Sequence, residues 1–213
     1  EAPDVGVTEE QEQAGIGPME FLDAIRQSAS RASYIVADML AYSRGAGAEF
    51  HPAAVTDMLE TVVRLASSDY DLKKKYDFKQ VEIVRDFDPE LESVVCDRTE
   101  IEQVFLNLVK NASQAMGHSN SPRPHRITLR TRKDGEYARI EVEDNGPGMD
   151  EQTRRRVFEP FFTTKAVGVG TGLGLSVSYF MITEQHKGTI DVTSTPGEGT
   201  CFTVRLPCHH QPA

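Results

Sequence analysis

Asp144-Asn145-Gly146-Pro147-Gly148-Met149 is the stretch on which the fold turns. It closes the run Ala138-Arg139-Ile140-Glu141-Val142-Glu143, whose apolar and charged residues alternate at period two, so the chain reads there as a strand buried on one face. Asp144 is thereby delivered to a strand end. The glycines after it break the backbone and, having no side chains, let a ligand approach the main chain. Taken alone the hexapeptide is also ordinary turn chemistry, and its neighbours along the chain decide between a turn and a pocket.

The 213 residues are 38% hydrophobic and 26% charged, a globular composition sufficient for one substantial core plus an appendage. No apolar run approaches a membrane span, and no basic region followed by an apolar one opens the chain. A soluble, cytoplasmic segment without membrane contact is expected, read as a piece of a longer protein that is itself able to be membrane-bound. The net charge of −10 argues against nucleic-acid binding, which needs clustered Lys and Arg to displace counterions from phosphate. Lys73-Lys74-Lys75 reads as a solvated helix end. Cys96, Cys201 and Cys208 have no metal-like spacing and read as reduced thiols.

Residues 1 to 17 are acidic, rich in glycine and without apolar periodicity, so they are expected to be disordered. From Met19 the pattern changes: Leu22, Ile25, Ala29, Ala32, Val36 and Met39 recur at spacings of three and four, the stripe of a helix that packs on a partner helix. Gly45-Ala46-Gly47 follows as a hinge. Pro52 is expected to start a second helix with Val55, Met58, Leu59, Val62, Val63 and Ala66 on its buried face, fraying near 72 to 76. Strands are expected at 81 to 87 and 93 to 96. A helix over 97 to 116 then buries Ile101, Val104, Leu108, Ala112 and Ala115 and turns Glu100, Gln103, Asn107, Lys110, Asn111 and Gln114 the other way. Asn107 and Asn111 are one turn apart, so their amides project to the same place. A hairpin of 126 to 132 with 136 to 143 leads into Asp144. Beyond it come a short helix at 151 to 158 and the aromatic run Phe158 to Lys165. A glycine loop from Gly168 opens a helix from Leu173 to His186, and two last strands flank Thr195-Pro196-Gly197-Glu198-Gly199.

Gly172 and Gly174 stand where that last helix begins, and free N–H groups at a helix start, with no side chain in the way, suit a polyphosphate. The loop is not a P-loop, because no Gly-Lys-Ser/Thr follows a strand. A magnesium ion, which takes one or two protein oxygens and otherwise waters and phosphates, fits the Asn111 carbonyl, with Asn107 holding a metal-bound water or a phosphate oxygen. A solvated polar face is the plainer reading of that helix alone. A buried Asp144 carboxylate accepts hydrogen bonds only, so it would pair with the exocyclic amine of adenine and repel guanine's carbonyl.

Together these stretches resemble the ATP-binding catalytic domain of the sensor histidine kinases, within the Bergerat-fold superfamily shared with type II topoisomerases, heat-shock chaperone ATPases and mismatch-repair ATPases. The resemblance rests on an asparagine box over Gln103 to Ala112, the glycine box Asp144 to Met149 and the phenylalanine box Phe158 to Lys165. It is completed by a second glycine box over Gly170 to Leu175 and a last motif over Pro196 to Phe202, in the family's order. It implies an α+β Bergerat fold: a two-layer α/β sandwich with a mixed, mostly antiparallel sheet on three helices, preceded by a long N-terminal helix. The implied division is a disordered 1–17, a partial dimerisation helix 18–46, an ATP-binding domain 47–207 and a tail 208–213.

ATP and Mg2+ are the implied cofactors. By that resemblance Asn111 is expected to bind the metal, Asn107, Asn111 and Lys165 to form the catalytic set, and Asp144 to bind adenine, with Thr200 supporting it through water. The implied nucleotide site further includes Lys110, Gly146, Gly148, Thr171, Gly172, Leu173 and Gly174, under a lid formed by residues 150 to 170. Relatives that chiefly hydrolyse ATP carry a glutamate base where this chain has Asn107, and an amide accepts no proton from water at neutral pH. The pattern therefore implies a kinase that passes the γ-phosphate to a histidine, with Lys165 and Lys110 neutralising charge.

The helix from Met19 to Arg44 resembles the second helix of the histidine-bearing dimerisation domain, while the first helix, with its acceptor histidine, is absent from this chain. The implied partners are that domain, a response regulator and, in the full-length protein, a second copy. Lys187 stands where relatives usually have glycine, which should perturb one helix end. Two other functions share the fold or its context: a serine protein kinase, disfavoured by the heptad helix and the phenylalanine box, and a non-catalytic phosphotransfer scaffold, disfavoured by Asn111, Asp144 and Gly172. An ATPase that clamps DNA is disfavoured by the acidic charge and Asn107.

Overall fold

The computed structural model describes residues 49–68, 78–91, 93–117, 123–165 and 170–209. The heptad helix, its glycine hinge, the Lys73 to Lys75 run and residues 166–169 lie outside the described residues. Among the described residues the element order is β1 (His51–Ala53), α1 (Val55–Ser68), a 3-10 turn (Phe78–Gln80), β2 (Glu82–Asp86), β3 (Val94–Cys96), α2 (Arg98–Gly117), β4 (Arg126–Asp134) and β5 (Tyr137–Asp144). It continues with α3 (Glu151–Arg156), α4 (Gly174–Phe180) running into a π-helical turn (Met181–Gln185), β6 (Thr189–Thr195) and β7 (Gly199–Pro207).

Five strands form one sheet in the order β2-β4-β5-β7-β6, with β2 parallel to β4 and every other pair antiparallel. Its pleat sorts the side chains. Along β5, Ala138, Ile140, Val142 and Asp144 are buried while Arg139, Glu141 and Glu143 face outward. Phe202, Val204 and Leu206 of β7 and Ile190 and Val192 of β6 extend the inward face. The outward face carries ion pairs such as Arg130 with Glu143 and Arg132 with Asp86. These half-exposed pairs fix strand neighbours more than they stabilise, at about 0–1 kcal/mol each.

Helices α1 and α2 pack together over the inward face. Asp97 caps α2 by accepting from the backbone N–H of Thr99 at 2.9 Å and of Glu100 at 3.2 Å. The stripe Ile101, Val104, Phe105, Leu108, Val109, Ala112 and Met116 is fully inside or nearly so. Truncating Phe105 or Leu108 to Ala would cost about 2–5 kcal/mol. Burying this stripe against α1 and the sheet leaves the opposite face of α2, with Asn107, Asn111 and Gln114, turned toward α4 and the loop before it.

Two local expectations are corrected. Pro52 does not start a helix: it lies in β1, opposite Val95 in the antiparallel pair β1-β3, and α1 begins at Val55. A two-stranded ribbon tolerates a residue without an N–H on its open edge. The last helix is not uniformly α-helical to His186, because it widens into the π turn and ends with the His186 N–H donating to the Met181 carbonyl at 3.1 Å. Lys187 then takes φ 53°, the left-handed region a glycine would enter without strain. Cys208, the first residue of the expected tail, is buried and donates its N–H to the Glu136 carbonyl at 2.8 Å.

Candidate nucleotide site

The expected residues fall into two groups along α2, one beside Met116 near its C-terminal end and one from Asn107 to Gln114. The first surrounds Asp144, which is 5% exposed because the pleat that buries Ile140 and Val142 carries its side chain inward too. Its Oδ1 accepts the Gly146 N–H at 2.8 Å. Burial pushes the carboxyl up to about 6, an effect opposed by the N–H groups of Gly146 and Thr200 and reinforced by neighbouring Glu143. A side chain at Gly146 would lie 2.7 Å from Asp144 Oδ1 and 3.2 Å from Met116 Cγ, so glycine is what keeps the carboxylate accessible.

Gly148 turns at φ 67°, and a Cβ there would come within 2.1 Å of the Thr195 carbonyl oxygen. The loop is tied to the β6-β7 turn by Gly197 N–H to Pro147 O at 2.7 Å. Ser194, which the sequence did not single out, anchors both sides. Its hydroxyl accepts the Met149 N–H at 2.8 Å, donates to Gly199 O at 2.9 Å and lies 2.9 Å from the Thr200 hydroxyl. Thr200 is paired across the sheet with Asp144.

The second group lies between α2 and α4. Lys165 Nζ donates to Asn111 Oδ1 at 3.1 Å and to Gln114 Oε1. Asn111 Nδ2 donates to Asn107 Oδ1 at 3.4 Å, and Asn107 Nδ2 donates to Ser178 Oγ at 3.0 Å. Burial holds the Lys165 ammonium below its ordinary range. Gly174 allows this closeness: a Cβ there would sit 2.6 Å from Asn107 Oδ1. Lys110 is half-buried on the same stretch of α2.

The loop before α4 is drawn in by Gly172, whose φ is 70° and whose hypothetical Cβ would meet the Phe161 carbonyl carbon at 2.4 Å. Leu173 is buried, its N–H donates to Thr171 Oγ1 at 3.3 Å, and no side chain caps the start of α4. Phe158 anchors the aromatic run by packing on Tyr179 at 5.4 Å and Phe202 at 6.2 Å between ring centroids, whereas Phe161 is 63% exposed.

The Asn111 carbonyl already faces a cationic group, beside a second neutral oxygen from Gln114. That is a donor set a hard divalent cation accepts, and it adds no negative charge beside phosphates. Among the described residues no three His, Cys, Asp or Glu side chains cluster to hold a metal. Ser178 joins the site through Asn107 on α2, and Gln114 through Lys165 in the segment before α4. Their legible signal was periodicity, since Gln114 lies one turn beyond Asn111 and Ser178 one turn beyond Gly174.

Residues 96–210 match the family of histidine kinase-, DNA gyrase B-, and HSP90-like ATPases, and the chain belongs to it. Within that family it is similar to the sensory histidine kinase/phosphatase NtrB of Klebsiella oxytoca, 37% identical over 203 residues that cover 89% of this chain and 52% of that one. The solved catalytic domain of the histidine kinase ThkA is 30% identical, with TM-score 0.62 over 75% of this chain and 96% of that one. A structure of ThkA in complex with the response regulator protein TrrA gives TM-score 0.68 at 26% identity, covering 93% of this chain and 54% of that one. The chain spans about half, or less, of the length of the curated relatives it matches.

Proposed function

We propose that this chain is the ATP-binding kinase core of a two-component sensor, moving the γ-phosphate of ATP to a histidine on a dimerisation domain. The observation that carries the reading is the amide relay Asn107-Asn111-Lys165, which joins a cation to an amide carbonyl oxygen and is itself built of amides and an ammonium. Asp144 accepts from the adenine amine. The uncapped start of α4, with Gly172 and Gly174 bare, receives the phosphates. Magnesium, when bound, would be held by Asn111 and would offset phosphate charge.

The neighbour of Asn111 one turn earlier is Asn107, and an amide does not serve an attacking water as a general base. The site instead holds the γ-phosphoryl group for a nucleophile that brings its own lone pair, an imidazole nitrogen. As the new P–N bond forms, the bond from phosphorus to the β,γ-bridging oxygen breaks and ADP leaves. Lys165 neutralises the charge that builds on the departing oxygens.

The acceptor domain, a response regulator and a second copy of the protein are the partners this reading requires. The similarity to a kinase solved with its response regulator supports the second of them. Among the described residues no helix is long and apolar enough to cross a membrane. The nucleotide assignment is tested by calorimetric titration with Mg-ATP and Mg-GTP. ATP is expected to bind at least about 100-fold more tightly, because guanine sets a carbonyl against a buried carboxylate. Equal affinities, or none for either, would overturn the Asp144 assignment.

A further inference from the structure

Ser178 is a buried polar residue of α4, 3% exposed, and its hydroxyl oxygen accepts the Asn107 Nδ2 at 3.0 Å. A serine inside a helix commonly bonds only to the helix's own backbone, with no consequence beyond it. Here its partner is the first amide of a directional chain. Lys165 has donors only, so Asn111 must turn its carbonyl toward the ammonium. That places Asn111 Nδ2 against Asn107, which must answer with its Oδ1. Asn107 Nδ2 is then left pointing the opposite way, where Ser178 Oγ receives it. Each link fixes the next, and the chain is anchored by a cation at one end and by Ser178 at the other.

Any hard cation at the Asn111 carbonyl requires the same direction. If the Asn107 amide turned over, its NH2 would face Asn111, which would then turn its own NH2 toward the cation. Gly174 packs beside Asn107 so closely that a Cβ there would sit 2.6 Å from the same amide. Lys165, through Asn111, sets which way the Asn107 amide faces, and Ser178 restrains the far end of that amide in this direction.

Resting on the ATP-binding reading above, we infer that Ser178 is a positioning residue: it holds the far end of the Asn107 amide in the direction that Lys165 imposes, and thereby keeps the Asn111 carbonyl in place at the cation position. It touches neither nucleotide nor metal. Its contribution therefore belongs to the metal dependence of binding and not to the grip on the nucleotide itself.

The test compares wild type, Ser178→Ala and Ser178→Thr, using a fluorescent ADP with and without magnesium. In Ser178→Ala the magnesium concentration at half-saturation should rise roughly 3- to 10-fold, the worth of one neutral buried hydrogen bond, while metal-free ADP binding stays at the wild-type level. Ser178→Thr, which keeps an acceptor oxygen, should restore the magnesium response. Ser178→Ala placed on Asn107→Ala should add nothing further, because the two act on one amide. Should the alanine variant not fold, Ser178→Cys keeps the volume, accepts weakly and reads the same shift. An unchanged magnesium half-saturation, an additive double variant, or metal-free ADP binding that falls in parallel would each overturn the inference. A wild-type chain that bound no ADP under either condition would instead overturn the nucleotide reading, and the role of Ser178 with it.

Discussion

Replacing Asp144 with Asn should make this protein more stable and nearly unable to bind nucleotide. The carboxyl is moved from an ordinary 3.8 to about 6, chiefly by burial, and that change corresponds to roughly 3 kcal/mol held against the charged form at neutral pH. Because the folded-state value lies above the unfolded one, the folded protein favours the protonated acid. The cost is present in full above about pH 6 and fades as the pH falls through 6 toward 4. An amide in the same place carries no charge, and its oxygen still accepts the Gly146 N–H that the carboxylate now accepts at 2.8 Å. Allowing about 1 kcal/mol for the weaker neutral hydrogen bond, Asp144→Asn should gain about 2 kcal/mol at pH 7, or roughly 5 °C in Tm. That gain should vanish near pH 4.

With Oδ1 engaged by Gly146, the Nδ2 of the new amide would be turned toward the adenine amine, donor against donor. ATP affinity should fall at least about 100-fold. In the wild type the same affinity should be level above pH 7 and decline as Asp144 protonates below about pH 6. Thermal melts from pH 4 to 8 and calorimetric titration of ATP measure both halves. A variant destabilised at pH 7, or one that binds ATP as tightly as wild type, would refute the reasoning.

Other substitutions probe the rest of the site. Gly172→Ala forces a side chain into φ 70° and against the Phe161 backbone at 2.4 Å, and should cost about 1–3 kcal/mol with loss of nucleotide binding, read by melts and ADP titration. Lys165→Met removes a half-buried ammonium from Asn111 and Gln114. ADP affinity should change less than tenfold, while phosphoryl transfer measured with labelled ATP falls about 100-fold; equal losses in both would place Lys165 in binding alone.

The fold was legible where local patterns carry it. Period-two alternation placed β5 and with it the inward Asp144, and helical spacing in α2 put Asn107 and Asn111 on one face. Pro52 misled because proline opens helices and also suits a ribbon edge, and only the pairing with Val95 separates the two. The π turn after Phe180 was hidden because its residues keep a helical character whatever the winding. Long-range partners were hidden for another reason. The bond from Asn107 to Ser178 spans 71 positions and that from Lys165 to Asn111 spans 54, and no local periodicity encodes which helix faces which. Ser194, joined to Met149, Gly199 and Thr200 at once, is likewise visible only after the sheet has formed.

The most direct test of the central claim is transfer in trans. The chain is mixed with a separate dimerisation domain that bears an acceptor histidine, together with magnesium and γ-labelled ATP. Label should accumulate on that domain as acid-labile, alkali-stable phosphate, with none on a domain whose histidine is replaced. Release of inorganic phosphate alone, or transfer that survives loss of the histidine, would contradict the account.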